Sequence, residues 1–264
     1  MTKGGSSVAE DAQLRAADTF EEAQTLLDVM LKQFHTMERN RTDPFISKVV
    51  IAGELKEDSS RPFSQVFQEL IDAATVKSRN PLSEQSCPPS PPSGIFLDYG
   101  THFVGLFEAV DRYVAELLIL MDAECKSTEE PIFSDVRVLY LNDDVVPLGG
   151  QYVCFVDKIP GVVAQSEKVD VPEDVIAEMV ADDVRKLTKL LSLVLSEGVS
   201  KRKNFLDNAR TSHPTLFPNT SSLKMYVKSD LFLTLDEYHR VFGKLPELVR
   251  DVEVNHPVDQ PLKY

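Results

Sequence analysis

Five histidines and one carboxylate-rich turn are the side chains in this chain that could hold a metal ion. The histidines are scattered along the sequence, at His35, His102, His213, His239 and His256. None of them forms an H-x-x-x-H pair, so no single helix face would present two imidazoles to a zinc ion. Asn142, Asp143 and Asp144 could in principle bind a divalent cation, although a turn between two strands also accounts for them. We therefore predict that the chain has no metal site.

Nucleophilic residues are equally isolated. The three cysteines, Cys87, Cys125 and Cys154, are widely spaced and never form a C-x-x-C pair, which predicts reduced thiols and argues against a disulfide framework or a zinc ribbon. Cys154 lies in a predicted strand without a paired histidine, and the sequence has no G-x-S-x-G motif. Gly149-Gly150 lacks the strand-then-helix context of a phosphate loop. These patterns predict no catalytic residue, no bound cofactor and no enzymatic activity.

The charge of the chain limits its partners. The formal net charge is -14 over 264 residues, so nonspecific attraction to nucleic acid or to anionic lipid would require a local basic patch. The best such patch, Lys201–Lys203, is predicted as a solvated turn after a helix. The sequence has no apolar run long enough to cross a membrane, and its first residues do not follow a secretory pattern. We expect a cytoplasmic protein that binds neither nucleic acid nor membrane.

The elements that position these residues begin after a small, polar segment, 1–17, which is predicted to be disordered. Apolar residues then recur at spacings of three and four, which predicts an N-terminal helix over 18–42. Residues 43–160 are predicted to form a domain that opens with a β-branched strand at 45–52 and a helix that begins near Pro62. A proline-rich loop over 78–93 interrupts it, and its P-x-x-P match allows either a passive surface loop or a docking ligand.

The centre of the predicted domain is a hairpin that runs directly into a helix. Two strands meet at Tyr99-Gly100-Thr101, and apolar residues at helical spacing follow from Val110 to Met121. The predicted strands of this region are Gly94–Asp98, His102–Phe107, Val136–Leu141 and Tyr152–Val156. The order is β-α-β-β-α-β-β, and because crossovers are right-handed, both helices should lie on one face of a mixed sheet. This predicts a ferredoxin-like α+β fold.

The C-terminal third is predicted to add helices and an extended tail. An accessory acidic region, 161–200, contains a helix from Pro172 to about Glu197 with an apolar seam, which could dock on the sheet or on the first helix, or form an intermolecular coiled coil. The C-terminal extension, 201–264, contains a short helix over 235–242 that begins with a Thr234/Glu237 capping box. The stretches on either side of that helix, 213–222 and 254–264, are predicted to be extended.

The hairpin region carries a family resemblance. The segment Ser93–Ala109, SGIFLDYGTHFVGLFEA, resembles without a gap the strand-turn-strand pattern of BLUF domains, the flavin-binding blue-light sensors. The segment Asp135–Leu139, DVRVL, is similar to the strand that follows the second helix in that family. The resemblance spans about 45–157, and it implies the ferredoxin-like order predicted above, with helices added at both ends.

The photochemical residues of the family are not matched. BLUF photochemistry uses a tyrosine on the first strand, a glutamine on the third strand and asparagine donors on the first helix. The corresponding positions here hold Ile51 and Gly105, and the nearest candidate asparagine, Asn80, lies beside the proline-rich insertion. The resemblance therefore implies a degenerate BLUF-like domain with no bound flavin.

A degenerate domain with accessory helices and a long tail is similar to the testis-expressed BLUF-like proteins of cilia and flagella. This similarity implies a non-catalytic structural or interaction protein of the axoneme that binds other proteins. Since the surface of tubulin is also acidic, attachment should depend on partner proteins or on apolar grooves. The alternative function is a flavin or small-molecule sensor that regulates a partner enzyme.

Overall fold

A mixed six-stranded sheet is the framework of the protein. The computed structural model describes residues 46–56, 60–78, 92–127, 130–143, 145–146, 148, 152–157, 159 and 171–242. The strands within these residues are β1 (Ile46–Leu55), β2 (Ser93–Asp98), β3 (His102–Val110), β4 (Phe133–Asn142), β5 (Val153–Val156) and β6 (Leu233–Thr234). The α-helices are α1 (Phe63–Lys77), α2 (Asp111–Cys125), α3 (Glu173–Ser196), α4 (Arg202–Ser212), α5 (Thr220–Lys228) and α6 (Leu235–Phe242).

The strand order confirms the ferredoxin-like α+β prediction. The strands lie in the order β5-β2-β3-β1-β4-β6, and β2 and β5 pair in parallel while the other neighbours are antiparallel. β2 and β3 form the predicted hairpin, and Gly100 in its turn has a φ of 81°, a left-handed conformation that glycine adopts without strain. β1 and β3 are central, so most of their residues are buried on both faces, which is typical of such strongly apolar strands.

Both crossover helices lie on one face of the sheet, as the topology predicts. The apolar stripes of α1 and α2 pack with residues of β1, β3 and β4 into one core cluster, to which Val66, Leu70 and Leu117 contribute. The hydroxyl of Tyr113 in α2 donates a hydrogen bond of 3.0 Å to the Ile71 carbonyl in α1, which ties the two helices together. A helix that buries one apolar stripe gains most of its stability from such packing.

The opposite face of the sheet is covered by α3, α4 and α5. The apolar seam of α3, with Leu187 and Leu191 fully buried, packs in a second core cluster with Val50, Val104 and Leu106 of the central strands. The sheet-docking alternative for this helix is therefore correct. Three hydrogen bonds hold α5 and the segment after it: Tyr226 donates to Asp183 Oδ2 at 2.8 Å, and Arg137 of β4 donates to the Val227 carbonyl in the helix and to the Phe232 carbonyl beyond it, each at 3.1 Å.

The prediction of an extended stretch at 213–222 is wrong. Pro214–Leu216 forms a 3₁₀ turn, and α5 begins at Thr220, two residues after Pro218. The side chain of Asn219 caps this helix, because its Oδ1 accepts the Ser221 N–H at 3.0 Å. Pro214 therefore starts a helical turn here, and Pro218 comes directly before the helix cap.

The structure confirms the capping box predicted in the C-terminal region and adds two elements that were not predicted. The basic patch begins helix α4, which runs from Arg202 to Ser212 and was not predicted, and β6 was not predicted either. The capping box is confirmed: the Glu237 N–H donates to Thr234 Oγ1 at 3.1 Å, and the Thr234 N–H donates to Glu237 Oε2 at 2.9 Å. It opens the predicted short helix, which is α6.

Several predictions lie outside the described residues. These are the disordered start 1–17, the N-terminal helix 18–42, all but the ends of the proline-rich loop 78–93, and the tail beyond 242. The proposed division of the chain into domains stays a prediction. In the part of the chain that the structure describes, no helix combines the length and the apolar character needed to cross a bilayer.

Candidate functional site

The two positions that match the photochemical residues of BLUF domains are direct neighbours in the sheet. Ile51 of β1 and Gly105 of β3 are paired in the antiparallel register. Because side chains alternate between faces along a strand, Gly105 shares a face with Phe103 and Phe107, which belong to the same core cluster as Ile51. Both positions therefore face α1 and α2, on the side of the sheet where the resemblance would place a flavin.

An aromatic ring occupies the space in front of Gly105. Phe96 of β2 is paired with Gly105 across the hairpin, and a Cβ atom built on Gly105 would lie 2.5 Å from Cε1 of Phe96. Real Cβ atoms do not approach a ring carbon so closely, so glycine is what allows this ring position. The Phe96 ring therefore occupies the space that a side chain at residue 105 would fill.

Phe96 belongs to a larger group, which we call the phenylalanine cluster: Phe63, Phe67, Phe96, Phe103, Phe107, Phe133 and Phe155. The Phe96 ring lies 4.4 Å from that of Phe67 between centroids, and it is stacked with Phe107 at 6.1 Å and with Phe155 at 5.6 Å. Aromatic pairs at such separations add attraction to the burial of apolar surface. The cluster fills the region between α1 and the sheet.

Gly53 provides a second close approach on the same face. A Cβ atom at Gly53 would lie 2.5 Å from Cε1 of Phe103 and 2.7 Å from the Asp135 carbonyl oxygen. The Phe103 ring is fully buried and lies 5.2 Å from Phe133. Two glycines in central strands thus make room for two phenylalanine rings.

The described histidines and cysteines lie in separate environments. His102 is buried at the start of β3, whereas His213 follows α4 and His239 lies in α6. Burial raises the pKa of the Cys154 thiol to about 12, and burial together with the nearby Asp122 raises that of Cys125 to about 12. Thiols with such high pKa values are poor nucleophiles at neutral pH.

Carboxylates meet at the end of the sheet where β1 begins. The Ser47 hydroxyl lies 2.5 Å from Asp111 Oδ1 and 2.7 Å from Asp143 Oδ1. Glu108, which is nearly fully buried, forms an ion pair of 3.0 Å with Lys48 and accepts the Leu148 N–H at 3.0 Å. Asp143 is thus engaged in a hydrogen bond to a strand residue. The described residues contain no group of three histidine, cysteine or carboxylate side chains placed to share a metal ion.

Two concave surfaces lie beside the outer strand β5. A groove of about 470 Å³ runs between β5 and α4, and its lining includes Tyr152, Asp157, Lys203 and Asp207. A more apolar cavity of about 360 Å³ lies beyond the end of β5, where Ile159, Phe217 and Pro218 contribute to its wall. Both volumes lie at the lower end of the range found for ligand sites.

Sequence reasoning missed the phenylalanine cluster and the β5 groove. The i, i+4 pair Phe63/Phe67 in the predicted helix was a visible signal of aromatic packing, and Phe103 and Phe107 lie on one face of the predicted strand. Which rings meet depends on the register of four strands, which the sequence alone does not specify. The groove depends on α4, a helix that was not predicted.

In comparisons with known proteins, the chain matches one family model and, at low sequence identity, several solved structures. The chain is 15% identical to a solved structure described as the BLUF domain of BlrP1, with a TM-score of 0.31. This match covers 64% of the present chain and 90% of the BlrP1 chain. The chain is 16% identical to BlrP1 of Klebsiella pneumoniae in a calcium and cy-diGMP complex, with a TM-score of 0.29 and coverage of 53% and 35%. No curated protein sequence matches the chain significantly. The family model for testis-expressed protein 47 matches residues 45–244. The chain belongs to the testis-expressed protein 47 family.

Proposed function

We propose that this protein is a non-catalytic interaction protein, built on a degenerate BLUF-like domain, that binds other proteins in the axoneme of cilia or flagella. The domain keeps the sheet and the two crossover helices as a scaffold. Its partners bind the outer surface of this scaffold and the C-terminal helices. No chemical step is assigned to the protein.

The observation that carries this proposal is the contact between Phe96 and Gly105. A planar cofactor held against the sheet between these strands and α1 would have to displace the Phe96 ring, which is fully buried and stacked with two other rings. Removing a buried phenylalanine from its packing costs about 3 to 5 kcal/mol. The cluster therefore favours a domain that is stable without a chromophore, and it disfavours the flavin-sensor alternative.

Surface features support a role in protein binding. The end of α6 exposes Val241 and Phe242, which are 61% and 54% accessible, and the Phe242 ring lies 5.1 Å from that of Tyr238. Adjacent apolar side chains on a surface are typical of contact sites for other proteins. The net charge of -14 disfavours direct attachment to acidic polymers, which leaves partner proteins as the means of attachment.

The experiment is localisation in flagellated cells with a fluorescent tag on the full chain. We expect the tagged protein to remain along the axoneme after the membrane and soluble contents have been extracted with detergent, while the tag alone is washed out. A diffuse signal that detergent removes would overturn the axonemal part of the proposal. Co-purification of defined partner proteins with the extracted axonemal fraction would then identify what it binds.

A further inference from the structure

We propose that the outer edge of β5, together with helix α4, binds an extended acidic peptide segment of a partner protein, with one apolar side chain of that segment in the cavity beyond β5. This inference rests on the proposed function, because it names the surface through which the protein binds a partner. The peptide would add to the sheet as a further strand.

The backbone of β5 can accept a further strand. This strand is the outermost strand at its end of the sheet, and among the described residues none pairs with its outer side. The Gly94 N–H donates to the Tyr152 carbonyl at 3.0 Å, so Tyr152 directs its backbone groups towards β2. Successive residues of a strand direct these groups to opposite sides, so Val153 and Phe155 present their N–H and C=O groups outward. Such groups can pair with an added strand.

The surface beside this edge is concave along its length. The groove of about 470 Å³ follows β5 from Tyr152 to Asp157 and is walled by α4. The apolar cavity of about 360 Å³ begins two residues later, at Ile159, and Arg210 lines both spaces. A strand laid along β5 would therefore pass from the groove to the mouth of the cavity. A hydrophobic side chain there would lie among Ile159, Phe217 and Pro218.

The charge around the groove favours an acidic segment. Two cations and two acids line it, Lys203, Arg210, Asp157 and Asp207, and a third cation is beside them, since the Arg202 guanidinium lies 4.8 Å from the centre of the Tyr152 ring. Arg210 also donates to the Asp157 carbonyl, which links α4 to the end of β5. The groove thus has one positive charge in excess within a chain whose net charge is -14, and this local balance selects an acidic segment.

The test uses the full chain and a fluorescein-labelled heptapeptide that alternates glutamate with valine, phenylalanine and leucine. Fluorescence anisotropy measures its binding. We expect Lys203→Glu to weaken binding roughly fivefold, as the loss and reversal of a surface charge contact allows. The matched control is Lys201→Glu, a charge reversal that is also at an exposed lysine but does not line the groove, and it should leave binding unchanged.

The backbone pairing is tested by one change in the protein and one change in the peptide. Val153→Pro removes an outward N–H at an edge position where proline is tolerated, and we expect it to weaken binding roughly tenfold. The same heptapeptide with N-methylated amides should fail to bind the unaltered protein, a measurement that does not depend on the folding of a variant. A peptide with lysine in place of glutamate should bind more weakly than the acidic one.

Two results would overturn the inference: no binding of the heptapeptide, or binding that neither Lys203→Glu nor N-methylation affects. The proposed function is judged separately by axonemal retention. If the tagged protein stays on extracted axonemes while the peptide does not bind, the groove is excluded as the peptide-binding site and the proposed function stands. If the peptide binds at the groove but the protein is washed out, the axonemal proposal fails.

Discussion

The Phe96 ring lies directly in front of Gly105, so closely that a Cβ atom at residue 105 would be 2.5 Å from Cε1 of the ring. The two residues are also cross-strand partners in the β2–β3 hairpin. The hairpin that resembles the flavin-binding element of BLUF domains therefore uses its glycine to accept a ring from its own neighbouring strand. This contact is part of the packing between the sheet and the two helices α1 and α2.

Gly105→Gln should destabilise the protein by about 1 to 3 kcal/mol, because the new side chain overlaps the fully buried Phe96 ring. Chemical denaturation of the purified variant measures this change. In a Phe96→Ala background the same substitution should cost much less, since the obstructing ring is gone, and this double-mutant cycle isolates the contact. Gly198→Gln is the control, because a Cβ at Gly198 meets no atom within 4 Å. Equal losses in both backgrounds would contradict the assigned contact.

Leu106→Asp should prevent folding or lower the free energy of unfolding by more than about 4 kcal/mol. Leu106 is completely buried and packs in the core cluster beneath α3, where a carboxylate would have no partner. The same substitution at Val199, which is 76% exposed, should change stability by less than about 0.5 kcal/mol. Circular dichroism melting distinguishes the two. A Leu106→Asp protein that melts cooperatively near the wild-type temperature would show that the strand faces are assigned wrongly.

Tyr226→Phe should destabilise the packing of α5 on α3 by about 1.5 to 3 kcal/mol. The Tyr226 hydroxyl is fully buried and donates to Asp183 Oδ2 at 2.8 Å, and Lys186 donates to the other oxygen of this carboxylate at 2.9 Å. Hydrogen bonds to a charged, buried group are among the stronger ones. Asp182→Asn removes the exposed ion-pair partner of the same lysine and should have no measurable effect. Hydrogen exchange of α5 amides checks the prediction, and unchanged protection in Tyr226→Phe would contradict it.

Stability should fall as the pH drops below about 6.5, partly because of His102. Burial lowers the pKa of this imidazole, the nearby Lys224 and Lys228 lower it further, and Glu54 opposes them. Because the folded pKa lies below the unfolded one, the unfolded state binds the proton first. The stabilisation is therefore fully present above about pH 6.5 and declines down to the folded pKa. Urea denaturation should show a weaker pH dependence for His102→Gln than for the wild type, and identical slopes would contradict the assignment.

The sheet could be predicted from sequence because its signals are local. β1 is a run of β-branched residues bounded by Pro44, and the hairpin turn is marked by Gly100. The stretch 213–222 was predicted to be extended, whereas Pro214 starts a 3₁₀ turn and Pro218 precedes the Asn219 cap. Local composition does not distinguish these two uses of proline.

The candidate site was predictable only in part. Ile51 and Gly105 could be recognised as departures from the BLUF pattern, since an ungapped match fixes their positions. The pairing of Ile51 with Gly105 depends on the register between two strands that are distant in sequence. The ring in front of Gly105 depends on the register of the β2–β3 hairpin, which places Phe96 opposite the glycine. The groove beside β5 likewise requires α4 to return to the sheet edge, a long-range contact that periodicity does not indicate.

The most direct test of the central claim is the visible absorption spectrum of the purified full-length protein after incubation with FAD and gel filtration. The phenylalanine cluster occupies the face that a flavin would need, so we predict no absorption band at about 450 nm in the protein fraction and no change under blue light. A stoichiometric band at that wavelength that stays with the protein and shifts on illumination would contradict the account.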